Sequence, residues 1–249
     1  MKFLHKLRRL IERVTQTRIY RKPPRGIDLA YDLAHALPGY RVQTVFDVGA
    51  NVGQSAQDYL EKFPVARIYS FEPVRSTFQQ LEANLKGEDR VRCFQLAFGA
   101  SPQQGTMVLQ GESVMFFLSE ASRPLSEAQN AVTEQVQVAT LDEFCRQHQL
   151  ERISYIKIDT EGGDMNVLKG AEHLLAEQRI DLMQLEAGMN SHNTWHVALE
   201  TLKQHLESRN YFLFGVYEQV HEWPAKEPHL RRANPVFISR RMIETYRGA

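Results

Sequence analysis

The sequence predicts an α/β fold built on a mostly parallel sheet, and three observations carry that prediction. From Arg41 onward, short apolar runs alternate with stretches of helical spacing, the pattern of strand–helix–strand units. Four of those runs close on a carboxylate, at Asp47, Glu72, Asp159 and Glu186. In open α/β sheets ligands bind beyond the carboxyl ends of the strands, so four acids there mark a site. The first run also passes straight into a glycine-spaced turn, Thr44 to Ser55 (TVFDVGANVGQS), that opens a helix at about Gln54. With 249 residues, 43% of them hydrophobic, the chain can bury one full core, and a single α/β domain with additions accounts for it.

The elements follow in order. Residues 1–25 carry nine cations against the single acid Glu12, a net charge of +8, so the remainder carries −8. Phe3, Leu7, Leu10 and Val14 recur at helical spacing among those cations and predict a basic amphipathic helix. Packing on its own domain is one reading of that helix. Peripheral contact of residues 1–22 with an anionic membrane surface or a partner protein is the other. Nucleic acid is not expected, since the rest of the chain is acidic and shows no basic–aromatic interleaving. Pro23-Pro24 break the helix, and residues 27–37 predict a second, closed by Pro38-Gly39. Together these make a helical N-terminal extension over residues 1–40.

The first strand is expected over 42–48, with a helix over 54–62 that ends before Pro64. The second strand runs from Ala66 to Glu72, a helix follows over 75–86, and the third strand covers 91–97. The order then changes. Residues 105–118 predict two strands around Gln110-Gly111, and 134–139 a third, an antiparallel insertion over about 100–140. A short helix begins near Leu141 with Thr140 as N-cap. The parallel pattern resumes with a strand from Ile153 to Asp159, the turn Thr160–Gly163, a helix over 164–177 and a strand ending at Glu186. A polar loop over 187–194, a helix over 195–208 and strands at 211–217 and 235–239 complete the chain, the last two as an antiparallel hairpin at one sheet edge.

Two cysteines, Cys93 and Cys145, stand far apart in no metal-type spacing, which suits a reducing compartment. No run approaches the ~20 apolar residues of a membrane span, and the basic N-terminus has no apolar core of a secretory signal. The expected setting is cytoplasmic; nothing in the sequence sets an oligomeric state.

The ligand follows from the turn. Glu72 lies 25 residues beyond Asp47, near the spacing at which such sheets place a carboxylate on a ribose. An ionised carboxylate only accepts hydrogen bonds, and a diol donates two. The pattern D-x-G-A-N-x-G is not the G-x-G-x-x-G of a dinucleotide site, and a P-loop lysine is absent. An acid just before the glycines opposes a phosphate and favours a cationic ligand, which points to S-adenosylmethionine.

Five stretches then carry a family resemblance: FDVGANVGQS, FEPVRSTFQQLEANL, LAFGAS, VATLDEF and IKIDTEGGDMNVLKGA, in this order. From about Thr44 to Glu186 the chain resembles the FkbM-type S-adenosylmethionine-dependent methyltransferases. The resemblance implies a class I, Rossmann-like methyltransferase domain over 41–249: seven strands, mostly parallel, helices on both faces and an antiparallel C-terminal hairpin. It implies O-methylation, of a sugar, glycan or glycolipid hydroxyl or of a secondary metabolite. It places Asp47, Gly49, Asn51 and Gly53 at the methionine end of the cofactor, with Ala50, Gln54 and Ser55 of the same turn. Glu72 then takes the ribose, and Pro73, Ala97 and Phe98 border the adenine. The first 40 residues, 119–133 and 187–234 fall outside the match and are expected to decide the acceptor.

A hydroxyl is a poor nucleophile while protonated, so a base is expected. Asp159 and Glu161, at the end of the fourth parallel strand, are the candidates; the competing reading has Asp159 shaping the cofactor pocket and Glu161 capping a helix. His192 is a third candidate, since histidine titrates in the useful range. His192 and His196 are four residues apart, but no further ligand accompanies them and no metal is expected. Trp195 and Trp223 offer flat faces for a sugar, with core or hinge packing as the equal reading for each. A cofactor-binding scaffold without turnover, docked through its N-terminus, is the reading from outside enzymes.

Overall fold

The computed structural model describes residues 11–17, 20, 22–109, 117–118, 132–223 and 226–247. In chain order the elements are α1 (Leu29–Ala36), β1 (Thr44–Val48), α2 (Gln54–Lys62), β2 (Arg67–Phe71), α3 (Arg75–Asn84), β3 (Val91–Phe94) and β4 (Ala97–Phe98). The insertion follows as β5 (Gln103–Leu109), β6 (Phe117–Leu118) and β7 (Val132–Ala139). Then come α4 (Leu141–Gln147), β8 (Ile153–Ile158), α5 (Asp164–Lys169), α6 (Glu172–Ala176), β9 (Ile180–Leu185), β10 (Ala187–Gly188) and α7 (Leu199–Glu207). The chain closes with β11 (Tyr211–Glu222), β12 (Glu227–Ser239) and α8 (Arg240–Thr245).

Side chains alternate across a strand, so each central strand feeds two cores. Phe46, Val48, Phe71, Ile156, Ile158, Met183 and Leu185 pack on one face with α4 to α7. Val45, Ile68, Tyr155, Leu182, Val236 and Ile238 pack on the other with α1, α2, α3 and α8. Burial on both faces explains why β8 and β9 read as nearly continuous apolar runs. The sheet order is β3-β2-β1-β8-β9-β12-β11, parallel from β3 to β9, with β12 antiparallel between β9 and β11. The short β10 extends the β9 edge along β12. This is the seven-strand order of a class I methyltransferase, with the expected antiparallel hairpin.

The structure redraws several elements. The expected strand 91–97 divides at Gln95–Leu96: β3 stays in the main sheet, and β4 pairs with β7 in a second sheet ordered β4-β7-β5-β6. That sheet is the insertion, and Gln110-Gly111 lie outside the described residues. The helix expected over 164–177 breaks at Gly170, where a Cβ would fall 2.2 Å from the Gly99 carbonyl oxygen. The helix expected from 195 starts at Leu199, so Trp195 and His196 belong to the loop before it. The final hairpin is much longer than expected, because β-bulges and Pro235 disguise its alternation.

Helix α1 packs into the second core, and Asp32 fixes it by accepting from Gly26 N–H and Tyr217 Oη–H at 2.8 and 2.9 Å. Residues 11–15 are helical, with Ile11 and Val14 exposed; Phe3, Leu7 and Leu10 of the expected basic helix lie outside the described residues. Among the described residues no helix is long and apolar enough to cross a membrane.

Candidate functional site

A cleft of about 310 Å³ opens at the carboxyl ends of β1, β2, β8 and β9. Its floor is the β1–α2 turn. Gly49, Asn51 and Gly53 all take left-handed backbone, with φ of +82°, +50° and +97°. Those are the spaced G, N and G of the motif, residue types that tolerate this region best. At Gly49 a Cβ would stand 1.9 Å from the Asp159 carbonyl oxygen, so the turn presses on the end of β8. The Gly49 and Ala50 N–H groups both donate to the Phe71 carbonyl, and the Asn51 N–H donates to Glu72. These three loop amides therefore bond within the protein. Gly53 gives α2 no side-chain cap, which leaves the first turn, at Gln54 and Ser55, to supply donors to the cleft.

The structure brings most of the expected site residues together. Gly49, Ala50, Asn51, Gln54, Ser55, Glu72, Pro73, Ala97, Phe98, Asp159 and Glu161 all line the cleft. Asp47 and Gly53 stand behind that lining. Leu96 and Met107 join Pro73, Ala97 and Phe98 to make one end of the cleft apolar. His192 is exposed and outside the cleft, near His229. Its neighbour in the proposed pair, His196, turns inward to Glu186, so the two histidines face different surroundings and share no helix face.

Asp47 is fully buried, and among the described residues neither of its carboxylate oxygens has a hydrogen-bond partner. Burial pushes its carboxyl up to about 6, against the pull of Lys157. Lys157 is the register partner of Asp47 on β8. Burial works to discharge it, but Asp159 and Asp47 outweigh burial and hold its ammonium charged. It pairs with Asp159 at 3.0 Å and donates to Ser55 Oγ at 3.1 Å. A lysine inside an otherwise apolar parallel strand was the signal that sequence reasoning passed over.

Glu72 accepts from the Asn51 and Val74 N–H groups at 3.2 and 3.0 Å, which fixes its carboxylate at the cleft wall. Burial pushes it up to about 7. At the opposite wall the turn after β8 holds Glu161 in left-handed backbone, φ +52°, where a non-glycine residue carries strain. Burial raises Glu161 to about 7, the Trp195 indole N–H at 2.7 Å lowers it, and Glu186 and Asp159 add to the rise. Asp164 braces this turn, accepting from Thr160 N–H, Thr160 Oγ–H and the Glu186 N–H at 3.1, 2.6 and 3.2 Å.

Residues that sequence reasoning missed complete the far end. Glu218, Arg232 and Asn234 come from the long hairpin, in stretches read as loop. Arg232 pairs with Glu186, and Asn234 Nδ2–H donates to Glu218 at 2.6 Å. Asn234 Oδ1 is buried without a partner. The loop over 189–198 closes this end. Asn193 accepts from the N–H groups of Trp195 and His196 and donates to the Arg231 carbonyl, which aims the indole at Glu161 and the imidazole at Glu186, 2.8 Å away.

Comparison with known proteins places the chain in a family. The model of the methyltransferase FkbM domain matches residues 47–213. Methyltransferase 1 of Beauveria bassiana is 25% identical over 162 residues, 59% of this chain and 64% of that protein. The 2-O-methyltransferase NoeI of Sinorhizobium fredii is 28% identical over 147 residues, 54% of this chain and 60% of that protein. The hexuronic acid methyltransferase AglP of Haloferax volcanii is 24% identical over 148 residues, 59% and 57% of the two chains. The chain spans less than two-thirds of the length of these relatives. Since the matched span runs from the acid beneath the glycine turn into the hairpin that closes the sheet, the chain belongs to the FkbM methyltransferase family.

Proposed function

We propose that the protein transfers a methyl group from S-adenosylmethionine to a hydroxyl of a sugar, glycan or glycolipid. The observation that carries this reading is the convergence of Glu72 and Glu161 on opposite walls of one cleft, with the glycine turn between them. The donor supplies a methyl group made electrophilic by its sulfonium. The residues fit it. Gly49 lets the turn close against the end of β8, the Asp47 carboxylate puts negative charge beneath it, and the uncapped start of α2 offers N–H groups to a carboxylate. Glu72 accepts from both ribose hydroxyls, and Pro73, Ala97 and Phe98 flank the adenine.

The acceptor lies toward Asp159, Glu161 and the hairpin. Glu161 would receive the acceptor's proton as the methyl group passes from sulfur to oxygen, which would leave a methyl ether and a neutral thioether. A carboxyl near 7 suits that exchange at neutral pH. Asp159, held by Lys157, aligns rather than deprotonates. Asn234 Oδ1 and Glu218 accept from further hydroxyls of the acceptor. The names of the relatives, a 2-O-methyltransferase and a hexuronic acid methyltransferase, support a sugar acceptor.

Calorimetry and labelled-methyl transfer to a panel of glycosides test this. Glu72→Ala should weaken cofactor binding by about 100-fold, in line with two lost charge-assisted hydrogen bonds. Glu161→Gln should lower turnover about 10²- to 10⁴-fold with cofactor affinity kept. Normal turnover in Glu161→Gln would remove it as the base, and no transfer to any hydroxyl compound would favour the scaffold reading.

A further inference from the structure

Among the described residues, two groups of histidine and carboxylate bring ligand atoms within 4.8 Å of one another: Glu161, Glu186 and His196 in the cleft, and His192, Glu227 and His229 outside it. In the first group the atoms are committed. His196 and Arg232 hold Glu186, Trp195 holds Glu161, and a guanidinium beside the carboxylate opposes a second cation. The second group has the opposite character. Two imidazoles and a carboxylate from two separate elements face one another at the surface.

We propose that His192, Glu227 and His229 form a site for a divalent transition metal of the zinc type, distinct from the methyl-transfer cleft. The donor set is two nitrogens and one oxygen, which suits zinc and leaves a fourth position to water. His229 Nδ1 already lies 3.3 Å from Glu227, and the His192 and His229 rings meet edge-on with centroids 6.3 Å apart. Tetrahedral zinc with bonds of about 2.0–2.1 Å needs ligand atoms about 3.4 Å apart, a contraction that exposed side chains make by rotation. The backbone beneath is fixed beforehand. Asn190 accepts from the His192 N–H and donates to the Leu230 carbonyl, Met189 N–H donates to the Arg231 carbonyl, and Asn193 donates to the same carbonyl. Loop and strand are thus stapled on both sides of the site, as the surroundings of a metal ligand need to be. A bound ion would fasten the outer side of the loop whose inner side carries Trp195 and His196. The site is hidden in sequence because its histidines stand 37 positions apart, while the tempting pair, His192 and His196, faces two ways.

Isothermal titration of untagged, chelator-stripped full-length protein with zinc chloride tests the site, with the methyl donor absent. One equivalent should bind, and the melting temperature should rise with zinc and fall back with chelator. His229→Ala and His192→Ala should each weaken binding by more than the 10- to 100-fold that loss of a supporting residue costs. Three outcomes would overturn the proposal: no binding by the wild type, undiminished binding by His229→Ala, or binding lost in His196→Ala and kept in His229→Ala. The last would move the metal to the cleft.

Discussion

Gly49 shows how one residue can carry the site. Its φ of +82° is shared by Gly39 at +81°, yet the two differ in surroundings. Nothing lies within 4 Å of a Cβ built at Gly39, whereas at Gly49 the Asp159 carbonyl oxygen lies 1.9 Å away. Gly39→Ala should therefore cost only the left-handed strain, about 1–2 kcal/mol, and keep cofactor affinity. Gly49→Ala should carry that strain and also push the turn away from β8, weakening cofactor binding by about 100-fold or more in calorimetry. Equal affinities in the two variants would show that the close approach to Asp159 does not set the cradle. Asp47 makes the complementary point: an acid at a strand's end is fully buried behind the lining, where only its charge could reach the cleft.

At the scale of elements, the loop before α7 divides what is built into the cleft from what is brought to it. Asn193 is buried and holds the loop through hydrogen bonds to Asn190, His196 and the Arg231 carbonyl, and through the backbone of Trp195 and His196. Asn193→Ala should free the indole and imidazole that steady Glu161 and Glu186. Turnover should fall about 10-fold or more, while cofactor affinity, assigned to Glu72 on the far wall and to the glycine turn of the floor, should stay within about 2-fold. A parallel loss of cofactor affinity would mean that the loop supports the whole cleft. The same division explains what could be read beforehand. The parallel strands declare themselves because they are buried on both faces, and the left-handed turn declares itself through Gly49, Asn51 and Gly53. The hairpin does not, since bulges at Leu213–Gly215 and Tyr217–Val220 break its period, and so Glu218, Arg232 and Asn234 were unreadable. Glu186 was visible as a strand-end acid, but its pairing with Arg232 and His196 is a product of the tertiary fold. The break between α5 and α6 falls at Gly170, a glycine whose close approach to the Gly99 carbonyl, 71 positions earlier, only the fold reveals.

Across the whole molecule the buried carboxyls act in concert, because a cleft shaped for a cation concentrates acids in low-dielectric surroundings. Burial raises Asp47 to about 6 and Glu72, Glu161 and Asp164 to about 7, and it raises Asp181 as well. Between the ordinary carboxyl range and those values the folded protein keeps protons that the unfolded chain has released. Stability then falls as pH rises through that window, by about 1.4 kcal/mol for each tenfold by which folding tightens a carboxyl's hold on its proton. Glu172, His205 and Glu222 are lowered and act the other way, but they are fewer. The cationic donor reverses the balance, since ionised carboxylates that repel one another in the ligand-free cleft attract a sulfonium and an ammonium. The melting temperature of the ligand-free protein should drop by several degrees between about pH 5.5 and 7.5, at roughly 2–4 °C per kcal/mol for a chain of this size. The rise in melting temperature caused by a fixed concentration of S-adenosylmethionine should grow over the same interval. Glu72→Gln, which cannot ionise, should flatten part of both trends. A ligand-free melting temperature that climbs with pH through this window would show that the cleft carboxyls are not strained by burial, and that the donor is held by shape rather than by charge.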